Sequence, residues 1–178
     1  LRDIASQIIG IDISQTAIER AEEKYRHYKK IKFQVGNLPL LKYNNDSFDL
    51  VSALEVLYYL GYSERKQALE EIKRILKKEG FLLISVNIGH PPYFQTEEFY
   101  NLINSFFLIK KVEYYYGKIY SFFETKLLLL ERTIFKKIIR FFLSINRLVE
   151  VGQFLTKSLL GRKGITIMCV LAQKTNLK

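Results

Sequence analysis

The stretch Asn44-Asn45-Asp46-Ser47-Phe48-Asp49-Leu50-Val51-Ser52-Ala53-Leu54-Glu55-Val56-Leu57-Tyr58-Tyr59-Leu60 decides how the rest of the chain reads. Its first four residues carry short polar side chains that hydrogen-bond nearby backbone, which is the chemistry of a turn. Residues 48–53 follow as a short, nearly unbroken apolar run, the pattern of a strand buried on both faces in a parallel sheet. Glu55 interrupts the run where such a strand ends, and residues 57–60 begin a new element. Ligands of open α/β sheets sit outside the carboxyl ends of the strands, where strand order reverses. Glu55, Tyr58 and Tyr59 therefore stand where a ligand is expected.

Upstream, Ile8-Ile9-Gly10-Ile11-Asp12-Ile13 reads as a buried strand with an acid near its end. Ser14 fits a helix cap, and Ile18, Ala21, Tyr25 and Tyr28 recur at helical spacing. Residues 31–35 alternate as a second strand and stop at Gly36-Asn37-Leu38-Pro39, completing a strand–helix–strand unit of a parallel sheet. Downstream, residues 64–78 form an amphipathic helix with Ala68, Leu69, Ile72, Ile75 and Leu76 on one stripe. Lys77 and Lys78 suit its C-terminal end, and Gly80 suits the turn that stops it. Residues 81–86 read as a buried strand with Asn87 at its tip. Residues 96–107 read as a helix capped by Thr96, with Glu97 and Glu98 in the first turn. Residues 108–116 and 165–173 read as two further strands.

A chain of 178 residues, 48% hydrophobic and 26% charged, suits one domain with a real core and argues against disorder. The single cysteine, Cys169, excludes an internal disulfide, fits a reducing, cytoplasmic setting and lies in an apolar run that favours packing. With two histidines and no cysteine cluster, no metal site is expected. The net charge of +10 is uneven: residues 1–123 hold 17 basic and 15 acidic groups, residues 124–178 hold 11 and 3. The positive field therefore belongs to the C-terminal third.

Asp-Ser-Phe-Asp-Leu-Val at 46–51, Glu-Val-Leu-Tyr-Tyr-Leu at 55–60 and Leu-Lys-Lys-Glu-Gly-Phe-Leu-Leu-Ile at 76–84 together resemble class I S-adenosylmethionine-dependent methyltransferases of the type 11/12 kind. The wording at 55–60 is also similar to nodulation-type N-methyltransferases. The resemblance covers roughly residues 8–87 and implies a Rossmann-like α/β fold, mostly parallel, with an antiparallel last strand. It implies S-adenosylmethionine as cofactor and methyl transfer to a small-molecule acceptor at nitrogen, oxygen or carbon. On the same resemblance Asp12 holds the ribose hydroxyls, since a bidentate carboxylate matches two adjacent hydroxyls. The bland reading is that Asp12 ends its strand or helps cap the helix at Ser14. Asn37 sits where relatives carry an aspartate for the adenine amino group and accepts through its amide oxygen; Ile13 and Leu38 complete the nucleoside contacts. Glu55 and Tyr58 border the cofactor's reacting end. Tyr59 orients the acceptor through its hydroxyl or fills the core. His90 is a candidate general base, although His90-Pro91-Pro92-Tyr93 resembles the Asn/Asp-Pro-Pro-Tyr motif of amino-methyltransferases at the wrong strand and reads as a decoy.

The family's Gly-x-Gly-x-Gly turn, which follows its central first strand, has no match in these residues. The expectation is a truncated reading frame that binds cofactor poorly and has a cleft in its sheet with unpaired edges. On this reading residues 1–116 and 165–178 form a partial methyltransferase-like domain, and residues 117–164 are a helical insertion, too long for a plain loop. Arg132, Lys136, Arg140 and Arg147 fall on one stripe, and charges interrupt every apolar run well short of the ~20 residues a membrane span needs. Three readings stay open for 124–160: a lid forming an apolar acceptor pocket, a basic helix at the surface of an anionic membrane, or a homodimer contact. Basic groups set among aliphatic residues argue against nucleic acid. The alternative function is a catalytically dead remnant, or a membrane-surface or interaction module working through the insertion.

Overall fold

Ser14 Oγ accepts a hydrogen bond from Ala17 N (3.2 Å), so the first helix starts at the cap the sequence offers. In the computed structural model, which describes residues 5–117, 150, 153–154, 157–161 and 165–175, that helix, α1 (Gln15–Tyr25), joins β1 (Ile8–Asp12) to β2 (Ile31–Val35). The two strands are parallel, in register from Ile8 opposite Ile31 to Asp12 opposite Val35. Next come β3 (Phe48–Leu54), a 3-10 turn (Leu57–Tyr59), α2 (Tyr62–Ile75), β4 (Leu76–Asn87), α3 (Thr96–Phe106), β5 (Leu108–Tyr116) and β6 (Ile165–Gln173). Here β3 runs parallel to β4, whereas β6 lies antiparallel between β4 and β5, giving the order β3-β4-β6-β5. This is the expected Rossmann-like sheet with its antiparallel last strand.

The described strands fall into two sheets, and β1 and β3 do not pair with one another. One expectation therefore changes: β3 is an edge strand, and of its seven residues only Ala53 is buried. Among the described strands β3 pairs with β4 alone, and at this margin of the sheet its side chains stay partly open. The core instead centres on β4, where Leu82, Ile84 and Val86 are fully buried, together with Met168, Val170 and Ala172 of β6. Ala68, Leu69 and Ile72 of α2 and Phe99 and Ile103 of α3 close over them.

Three local expectations are corrected. The second helix ends at Ile75, not Lys78, because Leu76 already pairs with Phe48 across the sheet. The left-handed residue after the helix is Glu79 (φ +62°), already within β4; Gly80 is required for space. A Cβ there would lie 2.9 Å from Lys77 O and 3.2 Å from Asp49 O, both rigid backbone. The α3 cap is Gln95, whose N donates to Glu98 Oε2 (3.3 Å), with Thr96 already helical.

The opening turn is held from two directions. Arg74 donates to Glu71, to Asn45 Oδ1 (2.7 Å) and to Leu41 O (3.1 Å). Beyond β6, Lys174 Nζ donates to Asp46 Oδ1 (2.8 Å), and Lys174 N to Gly80 O (2.9 Å). These contacts fix where β3 begins and hence where its far end points. The helical reading of 117–164 and its basic stripe lie mostly outside the described residues; Glu150, Gln153, Phe154 and residues 157–160 are helical. The lid, membrane and dimer readings of 124–160 lie outside them too. Among the described residues no helix is long and apolar enough to cross a membrane.

Candidate active site

The carboxyl end of β3 carries an unusual backbone. Glu55 sits at φ +58°, a left-handed conformation that side-chain-bearing residues seldom adopt. It is held there on both sides: Glu55 N donates to Ser85 O (3.0 Å), and Ser85 Oγ donates to Glu55 Oε1 (2.7 Å). The other carboxylate oxygen, Oε2, is buried and has no hydrogen-bond partner among the described residues. A buried acceptor left unsatisfied is costly, and its presence in a folded protein asks for an explanation.

The next turn is anchored by Leu57, which is fully buried, and this sets the two tyrosines in different surroundings. Tyr58 is half-buried, 4.6 Å from the Tyr59 ring and edge-on to Tyr93 at 5.2 Å between centroids. Asn87 Nδ2 donates to its hydroxyl (3.3 Å). Burial, then the hydrogen bond to Tyr59 and the charge of Glu55, push the Tyr58 phenol up to about 12, against the lowering effect of Asn87. Tyr58 is therefore a neutral group at physiological pH. Tyr59 is 79% exposed, which removes the core role weighed for it. His90 is exposed, and its carbonyl accepts from Tyr93 N (3.1 Å).

Three contributors were not legible beforehand. Tyr93 belongs to the motif read as a decoy, yet its ring walls the site. Ser85 looks like any small strand residue until its register opposite Leu54 is known. Arg65, on the α2 face that reads as solvated, donates to Leu60 O (3.1 Å) and Pro92 O (3.0 Å) and lies 4.2 Å above the Phe94 ring. It fastens the loops bearing Tyr59 and Tyr93 to one helix.

At the smaller sheet, Asp12 Oδ1 accepts from Ser14 N (2.8 Å), so the residue does help cap α1. Asp12 is exposed, which leaves its second oxygen available to a ligand. Ile13 beside it is 76% exposed. Asn37 is exposed at the same end of that sheet, its carbonyl accepting from Leu40 N (3.1 Å). Leu38 is half-buried against the core of the larger sheet, so a side chain expected beside adenine also ties the sheets together. Cys169 lies opposite Ser85 on β6, and burial, then the charges of Glu113 and Glu55, push its thiol up. This suits packing. Among the described residues no histidine, cysteine or acidic side chains gather as a metal site.

Comparison with known proteins agrees with this geometry. Residues 1–84 match the family model described as a methyltransferase domain. A demethylmenaquinone methyltransferase of Thermotoga maritima is 32% identical over 102 residues, 57% of this chain and 41% of the relative. Among solved structures, the cyclase SpnF superposes with a TM-score of 0.66 at 19% identity, covering 98% of this chain and 69% of that one. The N-methyltransferase NodS of Bradyrhizobium japonicum, in complex with S-adenosylhomocysteine, gives 0.62 at 12% identity, covering 97% and 70%. Residues 1–84, just under half of the chain, thus resemble a methyltransferase domain, and the fold is the one these solved structures share. The chain spans less than half the length of the curated relatives it matches.

The side chains at these strand ends have the chemistry that the nucleoside half of S-adenosylmethionine would need. Asp12 offers a carboxylate oxygen, Asn37 an amide, and Ile13 and Leu54 exposed apolar surface at strand ends.

Proposed function

We propose that the protein transfers a methyl group from S-adenosylmethionine to a small-molecule acceptor at the carboxyl ends of β1, β2 and β3. The observation that carries this is Asp12, exposed at the tip of β1 in register with Val35, with one carboxylate oxygen accepting from Ser14 N. In this reading Asp12 accepts from the ribose hydroxyls while Ser14 N keeps the carboxylate oriented. Asn37 accepts from the adenine amino group, with Ile13 and Leu38 flanking the ring. Glu55 and Tyr58 border the reacting end, and the exposed Tyr59 hydroxyl orients the acceptor. His90 is close enough in sequence to Tyr93 to serve at the rim, where an imidazole can take a proton.

The cofactor, when bound, supplies a methyl group made electrophilic by a cationic sulfur. The protein's part is to align the acceptor and keep water away, effects that account for much of the acceleration such displacements need. A neutral Tyr58 suits that part: its hydroxyl positions without competing as a base.

Isothermal titration with S-adenosylhomocysteine tests the reading. Saturable binding is expected for the protein and for Asn37→Asp. At least tenfold weaker binding is expected for Asp12→Asn, which retains the acceptor for Ser14 N but loses the charge. Absence of binding by the unaltered protein, or unchanged affinity in Asp12→Asn, overturns it.

A further inference from the structure

We propose that Glu55, with the rings of Tyr58, Tyr59 and Tyr93, is the binding site for a primary or secondary amine, so that the acceptor atom is nitrogen. This rests on the methyltransferase reading and deepens it. Glu55 Oε2 is a buried carboxylate oxygen with no partner among the described residues, while its twin is saturated by Ser85 Oγ at 2.7 Å. A carboxylate held in this way is an acceptor directed at a donor that the free protein does not supply. The strained backbone at Glu55 (φ +58°) is what turns the side chain there.

The surroundings narrow the donor's chemistry. Tyr58, Tyr59 and Tyr93 form a contiguous aromatic group, with centroids 4.6 Å and 5.2 Å apart across Tyr58. Aromatic faces carry negative potential and attract an ammonium group, and an adjacent carboxylate adds to that attraction. A hydroxyl would gain the hydrogen bond but little from the rings; a carboxylate or phosphate would be repelled by Glu55. An ammonium gains from both. Among the described residues no lysine or arginine forms an ion pair with Glu55, and Arg65 is committed to the Leu60 and Pro92 carbonyls.

The site also manages the proton. An amine arriving as ammonium donates an N–H to Oε2; passing that proton to the carboxylate leaves a lone pair on nitrogen. With a sulfonium donor bound, nitrogen would form the new bond to the methyl carbon as that carbon's bond to sulfur breaks, the positive charge would pass from sulfur to nitrogen, and Glu55 would return its proton to water. Tyr58 stays neutral throughout and keeps its hydrogen bond from Asn87.

The chain has no tryptophan and twelve tyrosines, three of them in this group, so tyrosine emission includes these rings and the Ser85 amide localises the response. Ethanolamine, with ethylene glycol as its uncharged counterpart, is titrated while tyrosine fluorescence and the Ser85 amide resonance are followed, with and without S-adenosylhomocysteine. Saturable changes with ethanolamine, and affinity at least tenfold lower for ethylene glycol, are expected. Glu55→Gln, which keeps shape and the hydrogen bond with Ser85, is expected to lose at least tenfold. Tyr59→Leu, at a position too exposed to endanger folding, is expected to lose severalfold. Equal responses to the two probes, or ethanolamine binding unchanged in Glu55→Gln, overturns the proposal. S-adenosylhomocysteine binding without discrimination between the probes overturns the amine assignment alone; ethanolamine discrimination without S-adenosylhomocysteine binding overturns the methyltransferase reading alone.

Discussion

Replacing Arg65 with alanine should cost the protein about 3 kcal/mol, and the figure follows from four contacts. The guanidinium donates to Leu60 O at 3.1 Å, and a hydrogen bond from a charged donor contributes ~1.5–3 kcal/mol. The bond to Pro92 O at 3.0 Å is of the same kind, but Pro92 is exposed and water can replace the donor, so it counts for less. The guanidinium lies over Phe94, a fully buried ring, 4.2 Å from its centroid, which adds roughly 0.5–2 kcal/mol. The ion pair with Glu98 is long, at 3.9 Å, and its carboxylate side chain is 44% exposed, so it adds almost nothing. Urea unfolding followed by circular dichroism gives the test. With a slope of about 2 kcal/mol/M for a chain of this size, the midpoint should fall by roughly 1.5 M. Arg65→Lys keeps the charge but not the planar fork, and should fall by about half as much. A loss under about 1 kcal/mol, or lysine as costly as alanine, would refute the claim that the fork and the stacking hold the two loops.

Gly80→Ala should destabilise by about 1–3 kcal/mol, because the new methyl meets Lys77 O and Asp49 O; a neutral result in urea unfolding would refute the clash. The Tyr58 phenol is raised to about 12 by burial first, so between about pH 10 and about 12 the folded state keeps a proton the unfolded state releases, and stability falls as pH rises through that window. Tyr58→Phe should remove this part of the alkaline slope, measured as urea midpoints at pH 9 and 11; identical slopes would count against it. The Glu71 carboxyl is held below its ordinary 4.5 by the hydrogen bond from Arg74, so its contribution is present above that value and lost as pH falls. Arg74→Gln should lower stability at neutral pH and flatten the acid limb. The Cys169 thiol, raised by burial, should react with a disulfide reagent at pH 8 at least tenfold more slowly in the native protein than in urea.

The sequence made the strand tips legible because apolar runs ending in an acid or a turn cluster leave little freedom in where a strand stops. Asp12 and Glu55 both stand where that rule puts them, and β2 has the expected bounds. Burial of β3 was not legible, since an apolar run does not say whether a neighbour exists on its second edge. The misassigned cap shows a related limit. Thr96 is the better cap by type, but Gln95 has glutamate at the third position beyond it, and the reciprocal bond decides the start of α3. At Gly80 the requirement is space between backbone carbonyls 28 residues apart in sequence, those of Asp49 and Lys77, which no local pattern encodes. Arg65 and Tyr93 depend on tertiary contacts throughout; on sequence alone one is a solvated charge and the other a loop aromatic.

The two halves of the candidate site stand on different sheets, and this shapes how binding should act on the protein. Asp12 and Asn37 end the smaller sheet; Glu55 and Tyr58 end the larger. What joins them is the segment between β2 and β3, through Leu38 on the main core, Tyr43 hydrogen-bonded to Gln34 (2.7 Å) and the edge-on packing of Tyr43 against Phe48 at 5.0 Å. These are few contacts compared with the core around β4. A ligand that touches both halves therefore gains affinity only to the extent that the sheets are already held at the right separation, and its binding free energy goes partly into holding them. By linkage the same ligand strengthens the union of the sheets in proportion to its occupancy. A ligand that bridges Asp12 and Glu55 would thus be coupled to the integrity of the divided sheet.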